Sequence, residues 1–284
     1  MGSLEAVESV EHAMAIVGGI LLVVSVVLFF VQRNAKQKLA SIRQARHGTI
    51  ADLQHTAQEI AAEIGSGSWR DYVKVRGDIQ CDRPLTSELK QVSCVYYKMT
   101  VEREYEETVT KRDDEGRTRQ ETERNSEIVS QNQRSTPFML SDSTGKILVN
   151  PSDASVETVS ILDEFRAESS MHGSLSFGGF SLSIGGDRAG RRTLGYRYRE
   201  SILPLDQKVL VLGQVTDAQG PSGSYENTCL AIEKPTEKKQ KFIVSLKSEE
   251  QLQQGVSSTA KYALYGMLST FVAGTILLGA GFAQ

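Results

Sequence analysis

The chain has 284 residues, of which 39% are hydrophobic and 24% are charged, and its formal net charge is −3. This near-neutral balance gives no electrostatic basis for binding nucleic acid, so we expect no nucleic-acid partner. The three cysteines are widely spaced and odd in number, which argues against a disulfide framework and is typical of a reducing compartment.

Two apolar stretches at the ends of the chain are long enough to cross a membrane. They are residues 13–31 and 262–282, and neither contains a charged residue. Because about 20 apolar residues cross the hydrocarbon core, we expect two transmembrane helices in a two-pass integral membrane protein. A secretory signal peptide is the alternative for the first stretch, but a basic n-region and a small-residue cleavage site are both missing.

Small residues recur every four positions in both apolar stretches. The first contains Ala15 and Gly19, and the second contains Gly266, Thr270 and Gly274. Small residues at this spacing let helix backbones approach closely in lipid. We therefore expect the spans to pack on each other or on copies of themselves in a homo-oligomer. The alternative is that glycine is simply common in membrane helices.

Basic residues near the apolar stretches predict the orientation of the chain. The N-terminal tail, residues 1–12, contains three glutamates and no Lys or Arg, whereas five basic residues lie between positions 33 and 46. Lys247 and Lys261 precede the second stretch. Because basic residues beside a span stay on the cytoplasmic side, we predict that the middle of the chain faces the cytoplasm and both termini face outside. In a prokaryote, the membrane is then the plasma (inner) membrane.

Residues 32–65 predict a juxtamembrane helical segment. Residues 33–46 are rich in helix formers, Gly48 interrupts them, and Thr49 followed by Asp52 predicts the cap of a second helix. Because its apolar stripe lasts only about two heptads, we prefer packing on the protein's own domain over a coiled-coil partner. The stripe consists of Ile50, Leu53, Ala57, Ile60 and Ile64.

Residues 66–247 predict a mainly β domain, followed by a juxtamembrane segment at residues 248–261. Short runs of alternating apolar and polar residues are separated by turn residues, which favours an antiparallel barrel or sandwich. The charge-balanced residues 111–125 are typical of a solvated hairpin tip, with a docking site as the alternative. The predicted strands cover residues 72–77, 92–101, 127–135, 138–140, 147–149, 194–202, 209–215 and 242–246.

Residues 172–192 form a segment that composition alone does not explain. Apolar residues alternate with serines on both sides of a Gly-Gly pair, and basic residues follow, which predicts a hairpin. One interpretation is that its apolar face covers the domain's own core. The other is that this face enters the bilayer or contacts a partner, with arginines on anionic headgroups. The candidate contact residues are Leu175, Phe177, Phe180, Leu182, Ile184, Arg188, Arg191 and Arg192.

Catalytic, cofactor and metal motifs are missing from the sequence. It contains no G-x-S-x-G, H-E-x-x-H, G-x-x-x-x-G-K or strand-linked G-x-G-x-x-G pattern. Of the four histidines, only His172 lies in a loop of the predicted domain, and no cysteine or acidic pair is near it in sequence. We therefore expect no catalytic residue, cofactor or metal.

Four segments between the apolar ends carry a resemblance to a known family. They read VKVRGDIQCDRPLTS (73–87), SCVYYKMTVE (93–102), TPFMLSDSTGKILVNP (136–151) and YRYRESILPLDQKVLVLGQV (196–215). In this order, they make the chain resemble the GIDE, or "beside a membrane" (BAM), family. The resemblance implies a β-rich module between two transmembrane helices. Its eukaryotic members are the mitochondrial and chloroplast-envelope ubiquitin ligases, and it has relatives in bacteria and archaea.

The resemblance also implies a zinc-binding RING domain after the second span, which this sequence does not contain. A RING needs about eight Cys and His ligands around two tetrahedral zinc ions. The three cysteines here all precede the second span, and only two residues follow Phe282. We therefore expect a prokaryotic-type member without the RING, acting as a non-catalytic binding or scaffolding module for an unidentified membrane or cytoplasmic protein. The alternatives are a ubiquitin ligase and an enzyme with an unrecognised pocket.

Overall fold

The protein is a mainly β domain between two long helices. Its computed structural model describes residues 2–65, 69–112, 116–167, 174–177, 179–183, 190–219 and 228–282. Within these ranges the chain forms three helices and fifteen strands, which confirms the predicted fold class. The helices are α1 (Gly2–Gln44), α2 (Ile50–Ile64) and α3 (Glu249–Phe282).

All eight predicted strands are present, and most are longer than their sequence patterns indicated. The strands are β1 (Arg46–His47), β2 (Asp71–Gln80), β3 (Leu85–Thr86), β4 (Ser93–Arg112), β5 (Thr118–Ser135), β6 (Phe138–Ser141), β7 (Lys146–Val149), β8 (Ser155–Val156), β9 (Val159–Ala167), β10 (Ser174–Phe177), β11 (Phe180–Ser183), β12 (Arg191–Pro204), β13 (Lys208–Gln219), β14 (Thr228–Glu233) and β15 (Ile243–Ser245).

Five strands close into a small barrel in the order β2-β6-β7-β14-β13, because β13 also pairs with β2. Val73 and Val75 point into its core, whereas Tyr72 belongs to a separate apolar cluster that includes residues of α1 and α3. Because β2 is covered on both of its sides, four consecutive residues of this strand are buried. Gly77 allows the close crossing of β6, since a Cβ there would lie 2.6 Å from the Ser141 carbonyl oxygen.

A second sheet lies beside the barrel, with the order β3-β4-β12-β9 and with β5 also paired to β4. Its buried side packs Met99 and Val101 of β4 against Tyr196 and Tyr198 of β12. The β4–β5 pairing runs out to Arg112↔Thr118, while β12 leaves β4 at Glu107. Much of the charged stretch predicted as a hairpin tip is therefore paired strand in a two-stranded ribbon.

Helix α2 begins and packs as its sequence predicts. Thr49 accepts a hydrogen bond from the Asp52 backbone N–H, and the Asp52 carboxylate accepts one from the Thr49 backbone N–H, which completes a capping box. Ile50 and Leu53 are fully buried in the barrel core. This confirms, for the first turn of the stripe, packing on the protein's own domain.

The two terminal helices pack along each other and are long and apolar enough to cross a membrane. Only 11% of the most apolar window of each helix is buried, so most of this apolar surface is outward-facing and fits a lipid environment. Both helices continue beyond the apolar stretches toward the domain. Helix α1 starts at Gly2, so residues 2–12 lie in the same helix as the first candidate span.

Candidate functional site

The barrel is joined to both terminal helices by a buried lysine. Lys74 of β2 is 9% exposed, and its ammonium donates a 3.3 Å hydrogen bond to the Ile42 carbonyl of α1. The same ammonium contacts the Glu249 carboxylate at the start of α3 at 2.5 Å. One side chain of the domain thus contacts both candidate membrane helices at the ends that lie next to the domain.

Polar contacts around Ser41 strengthen this junction. The Ser41 hydroxyl of α1 donates to the Lys239 carbonyl at 3.2 Å and accepts from the Lys241 backbone N–H at 3.1 Å. The Tyr72 hydroxyl donates to the Lys241 carbonyl at 2.7 Å. An apolar cluster packs around these contacts, so the helices and barrel meet in a buried, hydrogen-bonded joint. The cluster contains Ala35, Ile42, Ala45, Tyr72, Leu210, Leu212, Ile243, Leu252, Val256 and Ala260.

The outer side of the second sheet carries a network of cross-strand ion pairs. The Arg197 guanidinium of β12 contacts Glu104 of β4 at 2.9 Å and Asp163 of β9 at 3.1 Å. Hydrogen bonds to Glu104 and to Asp163 raise the pKa of Arg197. We call this surface the charged face, and its charged members are Glu102, Glu104, Glu106, Arg124, Asp163, Arg197 and Arg199.

The charged face encloses a shallow groove of about 670 Å³ between β5 and β12. Arg199 pairs with Glu102 at 2.6 Å, and Arg124 at the other side pairs with Glu106 at 3.2 Å. At the neighbouring edge, the ring of Phe165 is 39% exposed and lies 5.8 Å from the Arg197 guanidinium carbon. The groove therefore carries both charge signs, and one exposed aromatic ring lies beside it.

The charged face was not predicted from the sequence, although the sequence contains a signal for it. Glu102, Glu104 and Glu106 recur every second residue in β4, and Arg197 and Arg199 do so in β12. Alternating charges on two strands predict one charged side. The pairing of β4 with β12 that brings these sides together is set by the fold, because the two strands are about 90 residues apart.

A family model with the description "E3 Ubiquitin ligase" matches residues 106–279, which is more than half of the chain. The model is that of GIDE. The chain belongs to the GIDE family. No curated protein and no solved structure matches the chain.

The matched part of this GIDE protein begins inside β4 and extends into the second candidate span. It contains most of the second sheet, the closing strands of the barrel and most of α3. Two of the four segments that carried the resemblance, residues 73–87 and 93–102, lie before it. The family assignment therefore includes the charged strands β5, β9 and β12 together with the membrane-proximal joint on α3.

A buried carboxylate supports the sheet beneath the charged face of the GIDE domain. Glu200 of β12 is 1% exposed and accepts hydrogen bonds from Ser87 Oγ at 3.0 Å and from the Leu89 and Lys90 backbone N–H groups at 2.8 Å. These bonds hold the turn that leads into β4. Burial, and next the charge of Glu200, raise the pKa of Cys94 to about 11, so this thiol is unreactive near neutral pH.

The predicted hairpin in residues 172–192 is present as β10 and β11, with Phe177 opposite Phe180. Phe180 is half-buried and packs on the cluster of Met99, Val101 and Tyr198, as in the core-covering interpretation. Arg191 pairs with Glu107 at 2.8 Å, whereas Arg192 is exposed. Ile184 and Arg188, and the side chains of Leu175, Phe177 and Leu182, lie outside the described residues.

Of the small residues predicted to pack between the spans, some lie against the other helix and some do not. A Cβ on Gly274 would lie 3.0 Å from the Gly18 carbonyl oxygen, and one on Gly266 would lie 3.2 Å from Leu28. A Cβ on Gly19 would have no neighbour within 4 Å. The close approach of α1 to α3 is therefore made by Gly18, one position before Gly19. Ala15 is half-buried, and the Thr270 hydroxyl donates to the Gly266 carbonyl of its own helix at 2.8 Å.

Clusters with the composition of a metal site do not occur in the described part of the GIDE chain. Within it, no group of three or more His, Cys, Asp or Glu side chains could hold a metal ion. Cys81 is half-buried and Cys94 is buried, and they lie on different strands or loops.

Proposed function

We propose that this GIDE protein is a membrane-anchored, non-catalytic binding module that presents its charged face to a partner protein. The charged face is the observation that carries this proposal. Most of its charged side chains are partly exposed, with fractions such as 32% for Arg197 and 53% for Asp163. Exposed ion pairs add little to stability, about 0–1 kcal/mol each, so folding alone does not account for seven charged side chains on one side.

The composition of the charged face favours a protein partner over a nucleic acid. Its four carboxylates outnumber its three arginines, and a phosphate backbone would be repelled by this excess. A protein surface with interspersed acidic and basic groups can exchange pairs with the face while gaining specificity and association rate. The exposed Phe165 ring supplies an apolar contact of the kind that anchors such interfaces.

The joint at Lys74 supports this binding role because it attaches the domain to both terminal helices. Because the barrel contacts α1 and α3 through buried groups, the charged face keeps a fixed position relative to the two spans. A scaffold that orients a partner at a membrane needs such a connection. We further propose that the domain lies on the cytoplasmic side of a prokaryotic plasma (inner) membrane, that the chain is a prokaryotic-type BAM member, and that it forms a homo-oligomer.

Ubiquitin transfer is a second candidate, and the description of the matching family favours it. A RING contains two tetrahedral zinc sites, which together use about eight ligands. These 284 residues contain three Cys and four His. Ubiquitin transfer by this chain would therefore need zinc ligands from outside these residues, which is why we place binding first.

Purification of the full chain in mild detergent, followed by cross-linking mass spectrometry, tests the proposal. We expect cross-links from a stoichiometric partner to cluster around β5, β9 and β12, and we expect Arg197→Glu with Arg199→Glu to remove them. Incubation of the same preparation with ubiquitin-activating and ubiquitin-conjugating enzymes tests the alternative. Zinc-dependent ubiquitin chains together with no cross-links at the charged face would reject binding in favour of transfer.

A further inference from the structure

A cavity of about 400 Å³ lies between α1 and α3, just on the domain side of the two apolar stretches. Its walls are partly apolar, at Val31, Leu252 and Val256, and partly polar, with both of its lysines toward the domain. Gly255 leaves part of its wall open, since a Cβ there would have no neighbour within 4 Å. A site at this depth is where the headgroup of a bilayer lipid would lie.

Two lysines line the polar end of this cavity, Lys38 from α1 and Lys247 before α3. Lys247 pairs with Glu157 at 2.7 Å. Within the described ranges, the half-buried Lys38 ammonium makes neither a hydrogen bond nor an ion pair, although Glu157 acts on it electrostatically from a greater distance. Two ammonium groups and one carboxylate leave the cavity with one positive charge in excess.

We infer that this cavity binds the phosphate of an anionic membrane lipid. Lys38 supplies an unpaired ammonium for the phosphate oxygens, and Asn34 and Gln251 line the same space with amide donors. Val31 belongs to the apolar stretch of α1, so the acyl chains of a bound lipid would follow this helix into the bilayer. A basic group near an anionic membrane contributes enough to change affinity about fivefold.

Native mass spectrometry of the full chain in detergent tests this inference with dioleoyl phosphatidylglycerol as the probe. Dioleoyl phosphatidylcholine and inorganic phosphate are the comparison ligands. We expect one phosphatidylglycerol to bind more tightly than phosphatidylcholine, and Lys38→Gln to weaken it about fivefold. Glu157→Gln should tighten it, because Lys247 loses its carboxylate partner.

Two further variants separate loss of the site from loss of the fold. Gly255→Leu adds a side chain at the cavity wall and replaces a poor helix former with a good one, so it should weaken lipid binding without unfolding the chain. Lys36→Gln is the matched charge control, because Lys36 is exposed on α1 and does not line the cavity. Unchanged binding in both Lys38→Gln and Gly255→Leu, or an equal loss in Lys36→Gln, would overturn the inference. Displacement of the lipid by millimolar inorganic phosphate would reject a lipid as the source of the phosphate group.

Discussion

Replacing Lys74 with methionine tests the joint between the barrel and the two terminal helices. Methionine keeps much of the aliphatic volume but removes the ammonium, which leaves the Glu249 carboxylate and the Ile42 carbonyl without this donor. The side chains of Lys74 and Glu249 are 11% and 24% exposed, so water can replace little of what is lost. Removing one partner of a buried pair costs about 3–5 kcal/mol.

We expect a cost near the lower end, about 3 kcal/mol, because Glu249 retains some exposure and a 2.9 Å hydrogen bond from Gln253. The double variant Lys74→Met with Glu249→Gln should recover part of this cost, since it leaves no unpaired charge. Lys208→Met is the control, because Lys208 makes an exposed 3.8 Å pair with Asp78. Such a pair contributes less than about 1 kcal/mol.

Chemical denaturation of the full-length protein in detergent, followed by tyrosine fluorescence and circular dichroism, measures these differences. Hydrogen exchange at residues 239–241 reports on the same joint locally. A structural role for the Lys74 ion pair is refuted if Lys74→Met costs no more stability than Lys208→Met, or if the effects of the two substitutions in the double variant are simply additive.

Three other perturbations test separate parts of the structure. Glu200→Gln should destabilise the chain by about 2–3 kcal/mol, because one amide oxygen cannot accept all three hydrogen bonds that the carboxylate accepts. A thermal melt that shows no loss of stability would contradict the structural role of Glu200. Gly18→Ala should lower the free energy of unfolding by about 1–3 kcal/mol through overpacking, since its Cβ would lie 2.9 Å from the Gly274 carbonyl oxygen. Gly19→Ala is the control and should leave stability unchanged, because its Cβ would have no neighbour within 4 Å. Equal effects of the two substitutions in a detergent melt would refute the helix contact. Burial acts to raise the pKa of Asp142, but hydrogen bonds from the Thr144 side chain and the Ile50, Thr144 and Gly145 backbones outweigh it and lower the pKa. Wild type should therefore exceed Asp142→Ala in stability by about 1 kcal/mol above the unfolded pKa near 3.9, and the advantage should disappear as pH falls through the lower folded pKa; a difference that persists in acid would exclude the ionised carboxylate as its source.

Local patterns in the sequence predicted the helices and most strands because each depends on nearby residues. The capping box at Thr49 and the apolar alternation in β4 are examples, and both are present. Strands β9 and β14 were not predicted. In β9, charged residues such as Asp163 interrupt the apolar pattern, because the outer side of this strand contributes to the charged face.

The closure of the barrel and the joint at Lys74 could not be predicted from the sequence, for a different reason. Lys74 is 175 residues from Glu249, and a lysine alternating with valines in a strand predicts a solvated outer side. The packing of α1 and α3 on the barrel buries it. The small-residue pattern identified the part of α3 that approaches α1, but the contact on α1 is Gly18, because helix rotation cannot be read from spacing alone.

In our proposal, the charged face binds a protein while the chain remains in a membrane. Site-specific photocross-linking in intact cells tests it, with benzoylphenylalanine placed at Ser126 in the groove or at exposed Lys208 on the barrel. We predict a discrete cross-linked adduct from position 126 that disappears with Arg197→Glu and Arg199→Glu and is absent from position 208. An adduct that survives these substitutions, or equal cross-linking from both positions, would contradict the claim.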